Sequence, residues 1–167
     1  MSEKDTIFSG KIKQSGTFDF KEFYRFCYVW LVDEGYFVTE KVYSEKVSPN
    51  GKEVEVEWEA RKKISDYFRF IIKAKWRILG MVEVEVQDES GKKLKLNKGQ
   101  AEIKVDGILE KDYQGQWEKN PFLKFLRGVY DKFIIRTRID EYEGKVFSQS
   151  DEFLKQAKSF LAIEGMR

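Results

Sequence analysis

Between Glu53 and Ala60 acidic and apolar residues alternate without a break. Val54, Val56, Trp58 and Ala60 fall on one side, Glu53, Glu55, Glu57 and Glu59 on the other. A period of two predicts a strand with one buried face. The same period sets Phe68, Phe70, Ile72, Ala74, Trp76 and Ile78 against Arg69, Lys73, Lys75 and Arg77. It predicts a further strand at Val82, Val84 and Val86, with those valines inward. The run from Leu94 to Tyr113 predicts one long bent strand or two short ones, with Asn97 to Gly99 as the break. Upstream, Ile7 to about Gln14 reads as a first strand, with Phe8 and Ile12 opposite Lys11 and Lys13. Tyr36 to Val47 alternates as a second, and "SPNG" at Ser48 to Gly51 is a turn signal. The acidic row at 53–59 and the basic row at 69–77 are expected on adjacent antiparallel strands, each facing pair adding roughly 0.2–1 kcal/mol.

Two stretches change to the helical period. In "FDFKEFYRFCYVWLVDEGYFV", Phe18 to Val38, the positions Phe20, Phe23, Cys27, Trp30 and Leu31 fall on one stripe, widened by Tyr24, Tyr28 and Val32. Thr17 or Asp19 is the expected cap and Gly35 the expected stop. In the last third, Asn120 caps and Pro121 opens a helix with Phe122, Phe125, Leu126, Val129, Tyr130, Phe133 and Ile134 at helical spacing, reaching towards Tyr142 over about six turns. Gly144 is expected to break that pattern. A second terminal helix then runs from Ser150 as N-cap, through Phe153, Leu154, Ala157, Phe160 and Leu161, to Gly165. No repeat, low-complexity tract or linker appears, so residues 1–167 read as a single domain.

Composition narrows the chemistry. The chain carries 31 basic and 29 acidic side chains, a balance that disfavours a dedicated polyanion binder. It has no histidine, which excludes Ser-His and Cys-His pairs and histidine metal sites and leaves carboxylate, lysine or tyrosine chemistry. Its one cysteine, Cys27, lies among rings and reads as buried filler. Few prolines with abundant Lys and Glu give a thermophile-like composition. The charged N-terminus and the absence of any apolar run of about 20 residues make a cytoplasmic location the default.

The expected fold is α+β: an antiparallel β-sheet of about six strands wrapped on a long C-terminal helix. This order of elements resembles the helix-grip fold of START-like and Bet v 1-like lipid- and ligand-binding domains. The resemblance is one of topology over nearly the whole chain. It implies non-enzymatic binding or carriage of a hydrophobic small molecule or lipid between sheet and C-terminal helix, with no cofactor and no metal. The lining it would use is Trp58, Phe70, Trp76, Ile103, Phe125, Val129 and Phe133. The bland alternative is that these side chains fill the core.

A different class of function is an interaction protein whose aromatic helix meets a protein partner, a second copy in a homo-dimer or a membrane surface. Phe26, Val29, Trp30 and Phe37 would form that surface, joined by Lys124, Arg127, Lys132, Arg136 and Arg138. An enzyme reading would rest on Asp66, Tyr67, Asp106 and Tyr113, which no spacing singles out, so the chain leans away from catalysis. Single-stranded nucleic acid over Tyr67 to Arg77 is disfavoured, because rings and cations there alternate to opposite faces.

Overall fold

The alternating segments pair into one antiparallel sheet of five strands: β1 (Glu3–Phe18), β2 (Phe37–Ser48), β3 (Gly51–Lys63), β4 (Phe68–Gln87) and β5 (Lys93–Lys111). The computed structural model describes residues 2–115, 120–130, 132 and 136–164. The strands lie in the order β1-β5-β4-β3-β2. Strands β2 to β5 form a meander, and Pro49 and Asn50 alone turn β2 into β3. Strand β1 pairs with β5, at the edge opposite β2. The chain leaving β1 must therefore cross the sheet, and helix α1 (Phe20–Asp33) makes that crossing.

The strand count is five, not six, because two expected breaks are passed without ending a strand. The register of β4 against β5 slips by one residue between Leu79 and Val82. Gly80 sits there at φ +62°, a conformation that costs a glycine little. Opposite, a side chain on Gly99 would lie 2.9 Å from the Leu79 carbonyl oxygen. Glycine on both strands lets the bulge close and the strands continue.

The slip also corrects the expectation for three valines. Val82, Val84 and Val86 pair with Lys98, Leu96 and Leu94. Those β5 positions alternate away from Ala101, Ile103 and Val105, which point into the core. The valines thus fall on the outer side, and Val82 is exposed.

The facing charge rows form as expected. Glu55 pairs with Arg77, Glu57 with Lys75 and Glu59 with Lys73. Lys75 Nζ reaches Glu57 at 3.0 Å and Glu55 at 3.3 Å, and Arg77 donates to Glu53 at 3.0 Å.

The inner face carries Val54, Val56, Trp58, Ala60, Phe70, Ile72, Trp76, Ile78, Ile103, Val105 and Leu109, all buried. Two helices cover it. Asp19 caps α1 by accepting from the Glu22 N–H, and Phe23, Cys27 and Leu31 form its buried stripe. Gly35 follows the helix at φ +92°. The second cover is α3 (Arg136–Glu164), a single helix of 29 residues. It corrects two expectations: Gly144 does not end a helix, and Ser150 is a buried helical residue, not a cap. Ile139, Tyr142, Val146, Ser150, Phe153, Ala157 and Leu161 recur at steps of three and four through Gly144, which stands exposed on the other side. A glycine inside a helix costs about 1 kcal/mol. Burying one continuous stripe outweighs it. The expected helix from Phe122 opens as α2 (Pro121–Val129), capped by Asn120; Tyr130 and Lys132 follow in π-helical conformation, and α3 is described from Arg136.

Helix α3 sits low on the sheet. A Cβ added to Gly107 would lie 2.1 Å from Ser150 Oγ, and one on Gly10 2.7 Å from Leu154 Cδ2. Two bare positions on neighbouring strands let the helix approach until its side chains touch the backbone of β1 and β5.

Candidate functional site

The inner face leaves little room for a guest. Of the residues expected to line a cavity, Trp58, Phe70, Trp76 and Ile103 are all buried. Trp58 and Trp76 meet at 4.1 Å between ring centroids, Tyr24 lies on Trp58 at 4.9 Å, Phe23 on Trp76 at 6.1 Å, and Tyr142 on Phe70 at 6.1 Å. The other expected lining residues are not brought to them. Phe125 is 67% exposed on α2, which buries none of its residues, and Val129 is half-buried there. Phe133 lies outside the described residues.

Of the expected interaction residues, three converge. Phe26, Val29 and Trp30 stand at steps of three and four on α1, on the flank turned towards α3. Phe26 stacks on Phe160 of α3 at 5.1 Å and Trp30 meets Phe153 at 5.4 Å. Between the helices opens a groove of about 350 Å³, lined by Phe26, Val29, Trp30 and Phe160 with Glu22, Arg25 and Asp33 at its margin. Val29 is 43% exposed at its edge. Phe37, 75% exposed at the start of the edge strand β2, takes no part in it. The sequence places Phe160 on the face of the last helix. It does not reveal that this face meets α1.

A second cleft, of about 580 Å³, lies where α2, the start of α3 and the ends of β1 and β5 meet. Glu3, Lys111, Lys124, Arg127, Lys132 and Arg136 line it with Gly128 and Ile139. Four of the five expected basic residues are gathered here, while Arg138 stands exposed on α3 outside the lining. Lys111 joins them and was not singled out, since an isolated lysine at a strand end carries no signal. It is buried and pairs with Glu3 at 3.4 Å and Asp5 at 3.5 Å. Arg127 lies 3.5 Å from buried Asp112.

The candidate catalytic groups do not assemble. Asp66 is exposed in the β3–β4 loop and pairs with Lys63. Asp106 accepts from Ser9 on the outer face. Tyr113 donates to the Ser65 carbonyl at 2.6 Å under the Arg69 guanidinium, and Tyr67 packs on Phe68. Cys27 is fully buried, and burial pushes its thiol well above the ordinary range, away from the reactive thiolate. Burial likewise raises the Tyr36 phenol, which donates to Gln149 on α3. Among the described residues no three His, Cys, Asp or Glu side chains are grouped to hold a metal ion, and no helix is long and apolar enough to cross a membrane.

No protein family, curated protein or solved structure was found to match the chain.

Proposed function

We propose that this protein is a non-enzymatic binding module for a hydrophobic chain, such as that of a lipid or fatty acid, and that the chain lies in the groove between α1 and α3. The groove itself carries the reading. Phe26, Val29, Trp30 and Phe160 present aromatic and aliphatic surface around about 350 Å³, within the range of about 300–1,000 Å³ usual for small-molecule sites. The closely packed interior supports an outer site, because a guest beside Trp76 would have to displace several rings. A fluorescent long-chain fatty acid is expected to bind saturably at one site, and Val29→Glu to abolish binding without unfolding the protein. Absence of saturation, or unchanged binding by Val29→Glu, contradicts the proposal.

The topology favours a second reading. A strand, a crossing helix, an antiparallel meander and a long C-terminal helix are compatible with the helix-grip arrangement. In that reading the hydrophobic molecule lies between the sheet and α3, after the interior side chains rearrange. The same titration separates the two, since an inner site tolerates Val29→Glu.

A further inference from the structure

Beyond the bulge at Gly80 the sheet narrows. Strand β3 last meets β4 at Met81, and β1 last meets β5 at Asn97. Residues 82–87 and 93–96 therefore run on as a two-stranded ribbon, closed by a turn at 88–92. One face of the ribbon carries Val82, Val84, Val86, Leu94 and Leu96; the other carries Glu83, Glu85, Lys93 and Lys95. Such a ribbon is marginal in water unless its apolar face is covered. Leu96 is buried, yet it stands apart from the core cluster under α1 and α3.

The apolar face is concave at the ribbon's end. A cavity of about 610 Å³ opens there, floored by Val86, Leu94 and Leu96 and rimmed by Gln87, Asp88, Glu89 and Ser90. Its size lies within the range of about 300–1,000 Å³ usual for small-molecule sites. The floor is wholly aliphatic and accepts a hydrocarbon chain. The rim selects the head of that chain, because it holds two carboxylates and no cation. Neither Asp88 nor Glu89 takes part in an ion pair among the described residues. Lys93 and Lys95 stand on the other face, where Lys95 reaches Glu83 at 4.0 Å, and Lys92 meets Asp88 through its backbone N–H.

Asp88 is held ready as an acceptor. Its Oδ1 takes the Ser90 hydroxyl at 2.6 Å and the N–H groups of Ser90 and Lys92, each at 2.9 Å. These bonds hold the carboxyl below its ordinary range, so it stays ionised at neutral pH. Its Oδ2 has no hydrogen bond among the described residues. An ionised oxygen at the rim of an aliphatic floor complements a cationic head on an alkyl chain.

We propose that this cavity binds a protonated aliphatic amine, with its chain on Val86, Leu94 and Leu96 and its ammonium between Asp88 Oδ2 and Glu89. The site shares no residue with the α1–α3 groove and stands or falls independently of it.

A two-dimensional amide NMR titration of the labelled full chain with octylamine tests the proposal, at about pH 7 where an alkylamine is protonated. Saturating shifts are expected at Val86, Leu94 and Leu96. Amide exchange at Val84 and Leu96 is expected to slow, because a guest bound only by the folded ribbon stabilises it. Octanol and octanoate carry the same chain length without the cation, and each is expected to bind at least about tenfold more weakly. Asp88→Asn with Glu89→Gln is expected to lower octylamine affinity at least about tenfold, since it removes both charges and keeps an amide oxygen for the turn. An unchanged spectrum outside the turn shows that this variant is folded. Absence of saturation, equal binding of octanol or octanoate, or wild-type affinity in that variant overturns the proposal. Shifts centred on Phe26, Val29 and Phe160 also overturn it, because the amine then occupies the groove. Tighter binding of a lysine-rich peptide than of octylamine overturns it in favour of a protein partner.

Discussion

Trp58 of β3 and Trp76 of β4 meet edge to face, with ring centroids 4.1 Å apart and planes at 76°. They are diagonal neighbours across the ladder, since Trp58 pairs with Ala74 and Trp76 with Val56. Tyr24 and Tyr28 close over Trp58, and Phe23 over Trp76, so the pair joins the sheet to α1. Either Trp→Ala change should cost about 3–5 kcal/mol in urea unfolding. The Trp76 indole N–H is buried without a partner. Trp76→Phe should therefore cost distinctly less than Trp76→Ala, because it also removes an unsatisfied donor.

The seat of α3 is the second point of test. Gly107→Ala drives a methyl group against Ser150 Oγ and Val146 Cγ1. Overpacking of this kind costs about 1–3 kcal/mol, which a shift in the denaturation midpoint would show. Ser150→Ala should change stability by less than about 1 kcal/mol, since the buried Ser150 hydroxyl has no hydrogen-bond partner to lose.

At one end of the sheet Arg69 donates through Nε to Glu110 Oε2 at 2.6 Å, and the Glu110 side chain is only 2% exposed. Ser2 donates to its other oxygen at 2.7 Å. Removing one partner leaves a buried charge unpaired. Arg69→Ala should destabilise by about 3–5 kcal/mol, while the paired replacement of Arg69 and Glu110 by apolar residues should recover part of that loss. A double-mutant cycle measures the coupling.

Acid should loosen the outer face. The hydrogen bond from Lys11, with its charge and that of Lys13, holds the Glu102 carboxyl below its ordinary 4.5. Partial burial opposes ionisation of Glu59, but the Arg61 hydrogen bond and charge, with Lys41 and Lys73, leave it lowered as well. A carboxyl lowered in the folded state contributes stability that is complete above the unfolded value. That contribution is lost as pH falls through the folded value. Unfolding free energy should therefore hold steady from neutrality to about pH 5 and decline below pH 4.5. Glu102→Gln should flatten the decline at low salt.

Much of the fold was legible from period alone. The strict alternation at Val54–Ala60 and Phe68–Ile78 gives β3 and half of β4, and Asp19 with Gly35 brackets α1 closely. Two of the failures lie at glycines. At Gly80 a positive φ builds a bulge instead of a strand end, and the slip turns Val82, Val84 and Val86 outward. At Gly144 the buried stripe passes along the other side of the helix and carries it on. The aromatic helix was legible as two-faced, and Phe26, Val29 and Trp30 do share a groove. Its far wall, Phe160, depends on how α1 and α3 cross, which no local pattern encodes. The inner lining failed at Phe125, because the helical period from Phe122 marks an apolar stripe but not what it meets, and α2 leaves Phe125 exposed.

The central claim is that a hydrophobic chain binds outside a filled interior, in the groove between α1 and α3. The most direct measurement is a two-dimensional amide NMR titration of the labelled protein with a long-chain fatty acid below its micelle concentration. The account predicts saturating shifts gathered on Glu22, Arg25, Phe26, Val29, Trp30, Asp33 and Phe160. Shifts centred instead on Phe70, Trp76 and Ile103, or none that saturate, would contradict it.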